Sequence, residues 1–262
     1  MTDGQRFTQD LKKELEATFF IKINQLNKEA DSYYKLNELQ KEAVMKEIMK
    51  ERTAACKGLD ERAGGANMMK WIAYLCTAHQ YTVSHYDSWL DYEDLAFYVK
   101  GDEVGFSLIK ADCIKLPEGD REKVLTEKYE ALFDHLRPVI EMVALTSTLP
   151  IQQAFGLLCN PFYKQQEAWM VTADNERKKQ INDDLHTLRE VDCEVFGLKR
   201  NPYDVTFRYV DSWWEPVEPV RVKAACCMSY VKENGKKCYA CPKLTKEERK
   251  ARGEEIKREK SM

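Results

Sequence analysis

Four of the nine cysteines in this chain crowd into a short stretch near its end: Cys226, Cys227, Cys238 and Cys241. The segment RVKAACCMSYVKENGKKCYACPKL gives them the spacing C-C-x10-C-x2-C. Four thiolates brought together bind either zinc or an iron–sulfur cluster. Spacing bears on the choice. Structural zinc sites pair two knuckles with residues between their cysteines, so that each turn chelates the ion. Cys226 and Cys227 have no residue between them, and adjacent side chains diverge from the backbone. They reach one small tetrahedral ion together only with strain, whereas a two-iron cluster offers two separate metal centres. Zinc remains an alternative at this point, as does a redox-active vicinal pair beside two unrelated cysteines.

Local chain chemistry can gather the sulfurs. Asn234-Gly235 is a strong two-residue hairpin signal, and pairing about it predicts Met228 opposite Cys241 and Val231 opposite Cys238. The ladder must then turn across Tyr239-Ala240 to bring Cys238 back toward the others. The remaining cysteines, Cys56, Cys76, Cys113, Cys159 and Cys193, are scattered and read as small hydrophobes.

The C-C-x10-C-x2-C spacing, lying after Arg221 and accompanied by Tyr230, resembles the FhuF family of ferric-siderophore reductases. The likeness covers about 25 residues and includes all four cysteines. It implies that Cys226, Cys227, Cys238 and Cys241 ligate a two-iron, two-sulfur (2Fe-2S) cluster. It further implies one-electron reduction of Fe(III) in an imported siderophore complex, hydroxamate type foremost, on the cytosolic side. No two glycines are spaced G-x-G and no phosphate loop is present, so neither common nucleotide fingerprint occurs. Electrons are therefore expected from a partner such as a ferredoxin or a flavoprotein reductase. Two other readings of the chain are a zinc-stabilised interaction module and a siderophore-binding or ferredoxin-like relay protein.

Around the cysteines, Trp213 and Trp214 are candidates to cover the cluster or to offer substrate a flat apolar surface, with Arg221 as a third substrate candidate. Arg208, Lys223, Lys236 and Lys237 add positive charge that suits an acidic partner or an anionic complex. The histidines offer less. His79 lies on an apolar stripe and reads as a core residue. His85, in HYDSWLDYED, reads as part of a helix-to-strand loop, and His135 and His186 read as exposed.

The elements that must position these groups are mostly helical. Phe7, Leu11, Leu15, Phe19, Ile23 and Leu26 form one helical stripe, and Leu36, Leu39, Ala43, Val44 and Ile48 form a second. Gly64-Gly65 is expected to interrupt before a third, built on Met68, Ile72, Leu75 and Cys76. Leu95, Phe97, Val99 and Val104, Phe106, Leu108 alternate as two strands joined at Gly101. A helix should open at Asp120 and kink at Pro138, another should open at Asn160-Pro161, and a third at Asp174 should carry Ile181 to Val195 and stop at Gly197. Strand signal returns at Val205, Phe207, Tyr209, Val220 and Val222. The reading is an α+β chain: a predominantly helical body with an antiparallel sheet (residues 1–215), a small Cys-rich hairpin module (216–245) and a charged helical tail (246–262).

Composition excludes several classes. With 44% hydrophobic and 32% charged residues among 262, the chain carries a globular core rather than a disordered or collagen-like one. A net charge of −3 argues against nucleic acid as partner. The one long uncharged stretch, residues 142–163, is broken by Pro150 and Pro161, so no membrane-spanning segment is expected and any membrane contact would be peripheral. The first thirty residues hold no apolar signal region, which predicts a cytoplasmic protein.

Overall fold

One long helix organises the protein. In the computed structural model, which describes residues 4–5, 7–25, 30–101, 103–117 and 119–260, α4 (Glu61–Tyr86) packs against most of the other helices. Asp60 caps it, its carboxylate accepting from the Arg62 backbone N–H at 3.0 Å. The helix runs straight through Gly64-Gly65, where the sequence predicts a break. Packing is the reason. A Cβ on Gly65 would stand 2.2 Å from Ser147 Oγ, and one on Gly64 would stand 2.7 Å from the Met49 carbonyl. The two glycines let α3 (Glu42–Ala55) and α5 (Arg121–Ser147) approach closely, and that contact outweighs their poor helix propensity.

The rest of the helical body is α1 (Gln9–Phe19), the single turn α2 (Leu36–Leu39), α6 (Ile151–Thr172) and α7 (Asn175–Glu190). The N-terminal stripe ends sooner than its periodicity predicts. Phe20 turns left-handed at φ 59°, Ile23 falls in strand β2 (Ile21–Ile23), and Leu26 lies outside the described residues. Asn160-Pro161 opens no helix. Both lie inside α6, as Pro138 lies inside α5. Asp174 does cap α7, accepting from Arg177 N at 2.8 Å. Val195 belongs to a separate 3-10 helix, Cys193–Phe196, which Gly197 closes at φ 64°.

The strands flank this body. Among the described residues they form a four-stranded sheet in the order β2-β6-β5-β3, a three-stranded sheet β1-β7-β4 and a ribbon β8-β9. Strands β5 (Asp94–Lys100) and β6 (Glu103–Ile109) form the expected hairpin, with Gly101 at φ 56°. Strand β3 (Ser32–Lys35) joins β5 antiparallel, but β2 joins β6 parallel. The larger sheet is therefore mixed rather than wholly antiparallel. Strand β7 (Asp112–Lys115) pairs antiparallel with β1 (Gly4–Gln5) and β4 (Ser88–Asp91), and β8 (Tyr209–Asp211) pairs likewise with β9 (Pro219–Arg221). The α+β class stands.

His85 sits in the last turn of α4, stacked on Tyr81 with centroids 4.5 Å apart, rather than in a loop. Among the described residues no single helix is long and apolar enough to cross a membrane. Helices α5 and α6 pass such a test only as a pair, and they meet at 116°.

Candidate functional site at the cysteine module

The chain from residue 223 to 245 forms no strand ladder. Asn234 is left-handed at φ 54° and Gly235 N–H donates to the Lys232 carbonyl, so the turn forms at the expected place. Its flanks do not pair with each other. Ser229–Val231 is a 3-10 turn, and the backbone beyond it pairs with the body instead: Leu59 N–H donates to Val231 O at 2.9 Å, and Glu233 N–H to Lys57 O at 2.8 Å. The expected hairpin is thus displaced by a loop of the body that offers the same backbone partners.

Body side chains hold the vicinal cysteines. From α6, Gln153 Nε2 donates to the Cys226 carbonyl at 2.8 Å and Asn160 Nδ2 to the Ala225 carbonyl at 2.9 Å. Gly156 of the same helix lies so close that an added Cβ would stand 3.0 Å from Ala225 Cβ. The C-x2-C turn is fixed from the other side. Cys241 N–H donates to Cys238 O at 2.9 Å, and helix α8 (Lys246–Lys260) sends the buried Arg249 guanidinium to the carbonyls of Tyr239 and Cys241, the latter at 3.0 Å. The charged tail is a helix, as its composition predicts, and Arg249 gives it a structural part that composition does not reveal.

All nine cysteines are free thiols. The four of the module resolve into two pairs. Cys226 and Cys241, 4% and 1% exposed, have their sulfurs 3.7 Å apart inside the core. That is far beyond the roughly 2.05 Å of a disulfide. It matches the separation of about 3.8 Å that two thiolates adopt on one tetrahedral metal with bonds of about 2.3 Å. Cys227 and Cys238, both half-buried, lie near enough for each to shift the other's ionisation. Among the described residues no three His, Cys, Asp or Glu side chains are grouped to hold one ion.

The electrostatics separate the pairs. Cys238 and then Lys223 and Ser229 stabilise the Cys227 thiolate, pulling it down to about 4, while the neighbouring Cys238 thiol is pushed up. Lys223 Nζ donates to Cys227 Sγ at 3.3 Å, and Ser229 Oγ lies 3.7 Å from it. Burial opposes the Lys223 charge, but Cys227 and Cys238 more than offset it and raise its pKa. Burial raises the Cys226 thiol.

The candidate substrate residues lie elsewhere. Trp213 packs against Gly253 of α8 with Lys260 Nζ 4.9 Å from its ring centre, and Trp214 donates to Glu218 at 3.3 Å. Arg221 is engaged by Glu167 at 2.7 Å and by the Tyr163 carbonyl, over the rings of Tyr163 and Phe207. Lys236 pairs with Glu255 and Glu259, and Lys237 with Glu248. The structure brings the four cysteines together in pairs. It does not bring Trp213, Trp214 or Arg221 to the cavity that opens beside Cys227. Lys70, Lys223 and Lys232 line that cavity instead.

A comparison with known proteins finds no matching family model and no matching curated protein.

Three of the five scattered cysteines pack in the core, while Cys56 and Cys193 are half-buried. Cys76, Cys113 and Cys159 are buried, and burial pushes the Cys76 thiol up to about 12. His79 is 1% exposed and lies 4.6 Å from the Trp89 ring, with burial pulling its pKa down to about 3.

Proposed function

We propose that this protein is a cytoplasmic ferric-siderophore reductase, with Cys226 and Cys241 ligating one iron of a two-iron, two-sulfur cluster and Cys227 and Cys238 the other. The observation that carries the reading is the division of the four thiols into two pairs, one at 3.7 Å. Such a division suits two metal centres better than one tetrahedral ion, and it gives the adjacent cysteines separate partners. When bound, a cluster of this kind carries one electron at a time, commonly at low potential, about −400 mV in plant-type ferredoxins.

The chain's own residues have distinct tasks in this scheme. Cys226 and Cys241 anchor in the apolar core, where Gln153 and Arg249 satisfy their carbonyls and water is kept away. Cys227 and Cys238 face outward, and the Lys223 ammonium offsets the negative charge at their sulfurs. The hard oxygen ligands of a siderophore favour ferric over ferrous iron. One electron converts the chelate's Fe(III) to Fe(II), and the weakened complex then releases the metal. A ferredoxin or flavoprotein reductase replaces that electron.

The test is anaerobic. Chemically reduced holoprotein, mixed with a ferric trihydroxamate and a ferrous chelator, should reoxidise as the ferrous complex appears. The isolated protein should contain about two irons and two acid-labile sulfides per chain. One tightly bound zinc, or a reduced protein that passes electrons to another redox protein but to no ferric chelate, would overturn the assignment.

A further inference from the structure

The cavity beside Cys227 has a volume of about 210 Å³. Its walls come from three separate parts of the chain. Ala63, Ala66 and Lys70 are spaced three and four residues apart, so one face of α4 forms the floor. Leu157 of α6 adds to it, and Lys223, Cys227 and Lys232 complete the rim from the cysteine module. Apolar side chains thus lie beneath a ring of three ammonium groups.

The charge is one-sided. No carboxylate lines the cavity, and among the described residues none of the three lysines pairs with one. This sets them apart from Arg221, Lys236 and Lys237 nearby, each of which has an acidic partner. The Lys70 ammonium loses part of its hydration and lies near Lys232, and both effects lower its pKa. Its nearest favourable contacts are the rings of Trp71 and Tyr74. Lys223 is offset by the Cys227 sulfur, but Lys70 and Lys232, held together without counter-charge, favour an anionic occupant. The volume is below the range of about 300–1,000 Å³ of pockets that enclose a drug-sized ligand. It has room for one arm of a larger molecule.

We propose that this cavity seats a carboxylate arm of the ferric chelate, so that carboxylate-bearing ferric hydroxamates are preferred over neutral ones. The proposal rests on the reductase reading and adds to it the substrate's charge and its place of docking. An arm held by Lys70 and Lys232 is also held beside Cys227, the half-buried sulfur of the outward pair. The chelated iron then lies at the mouth, on the same side as that sulfur. Lys223 is a less suitable probe, since it also contacts Cys227.

Redox-inert gallium(III) complexes separate docking from reduction. Calorimetric titration of the full-length holoprotein should show a gallium trihydroxamate that carries one free, uncoordinated carboxylate binding roughly tenfold more tightly than a neutral gallium trihydroxamate. The preference should shrink as salt rises. In the double variant Lys70→Gln, Lys232→Gln the ratio of affinities should fall toward one, with the visible absorbance and iron content of the holoprotein as a check on folding. The single variant Lys70→Gln should give an intermediate ratio. Equal binding of both complexes by the unmodified protein, or a ratio that the double variant leaves unchanged, would overturn the docking site while the reductase reading stands. Lysine-dependent binding of the gallium complex with no reduction of its ferric counterpart would instead sustain the anion site and overturn the reductase reading.

Discussion

Two buried polar regions of this protein are built on opposite principles. In the helical body, Asp184 is 1% exposed and every part of its carboxylate is engaged. Arg121 Nε donates to Oδ1 at 2.9 Å and Gln180 Nε2 to the same oxygen at 2.8 Å, while Ser84 Oγ and Arg121 Nη2 donate to Oδ2. Ser84 in turn accepts from Gln80, whose carbonyl accepts from Tyr129 at 2.6 Å. This network is closed within the protein, and it ties α4, α5 and α7 together. The cysteine module is open. Its sulfurs have chiefly one another, Lys223 and Ser229 as partners, and an adjoining cavity gathers Lys70 and Lys232 without any carboxylate. A polar cluster complete in itself holds a fold, and one that leaves donors and charge uncompensated has ligands still to take.

The sharpest test of that contrast is Asp184→Ala. It leaves the Arg121 guanidinium, 18% exposed, without its main counter-charge. Removing one partner of a buried pair costs about 3–5 kcal/mol, read as a lower urea midpoint. Iron per folded chain should not change. If iron falls in proportion to stability, the two regions are not independent.

Cys241→Ser should do the reverse. Iron and sulfide content should drop to well under half, while far-UV circular dichroism stays nearly intact because the helices lie in the body. Cys238→Ser should lose iron similarly. Unfolding of the apo protein would show that the module and body form one cooperative unit, which the packing of Cys226 and Cys241 in the shared core makes a real alternative.

A smaller effect should appear in acid. The folded pKa of His79, about 3, lies below the ordinary histidine value near 6.5, so the unfolded chain binds the proton first. Its contribution to stability is complete above about pH 6.5 and is lost as pH falls toward 3, by at most about 1.4 kcal/mol per unit. His79→Gln should flatten the acid limb of a stability–pH curve relative to the unmodified protein. An unchanged slope would show that His79 takes up its proton over the same pH range in both states. The smallest effect belongs to Lys236→Ala, which breaks only exposed ion pairs to α8. No resolvable change in denaturation midpoint is expected.

Sequence by itself determined the features that depend on near neighbours. The β5–β6 hairpin follows from alternation about Gly101, the start of α7 from Asp174, and the candidate ligand set from the spacing of Cys226, Cys227, Cys238 and Cys241. These are effects of a few residues on their own backbone, and they survive wherever the segment is placed. Tertiary packing decided the rest. Helix α4 continues through Gly64-Gly65 because Ser147 and Met49 come close from distant segments. The Asn234-Gly235 turn closes without a ladder because the loop at Gly58 supplies the backbone partners. Asn160 does not cap a helix because α6 runs on through it, and its Nδ2 donates to the Ala225 carbonyl of the distant cysteine module instead. One local signal for the cavity was present: Lys70 is the sole Lys, Arg, Asp or Glu between Ala63 and Ser84. Its meaning was not local. Only the fold brings Lys70 to Cys227 and Lys232 across more than 150 residues, because spacing along a chain encodes which side chains share a face but not which distant face will meet it.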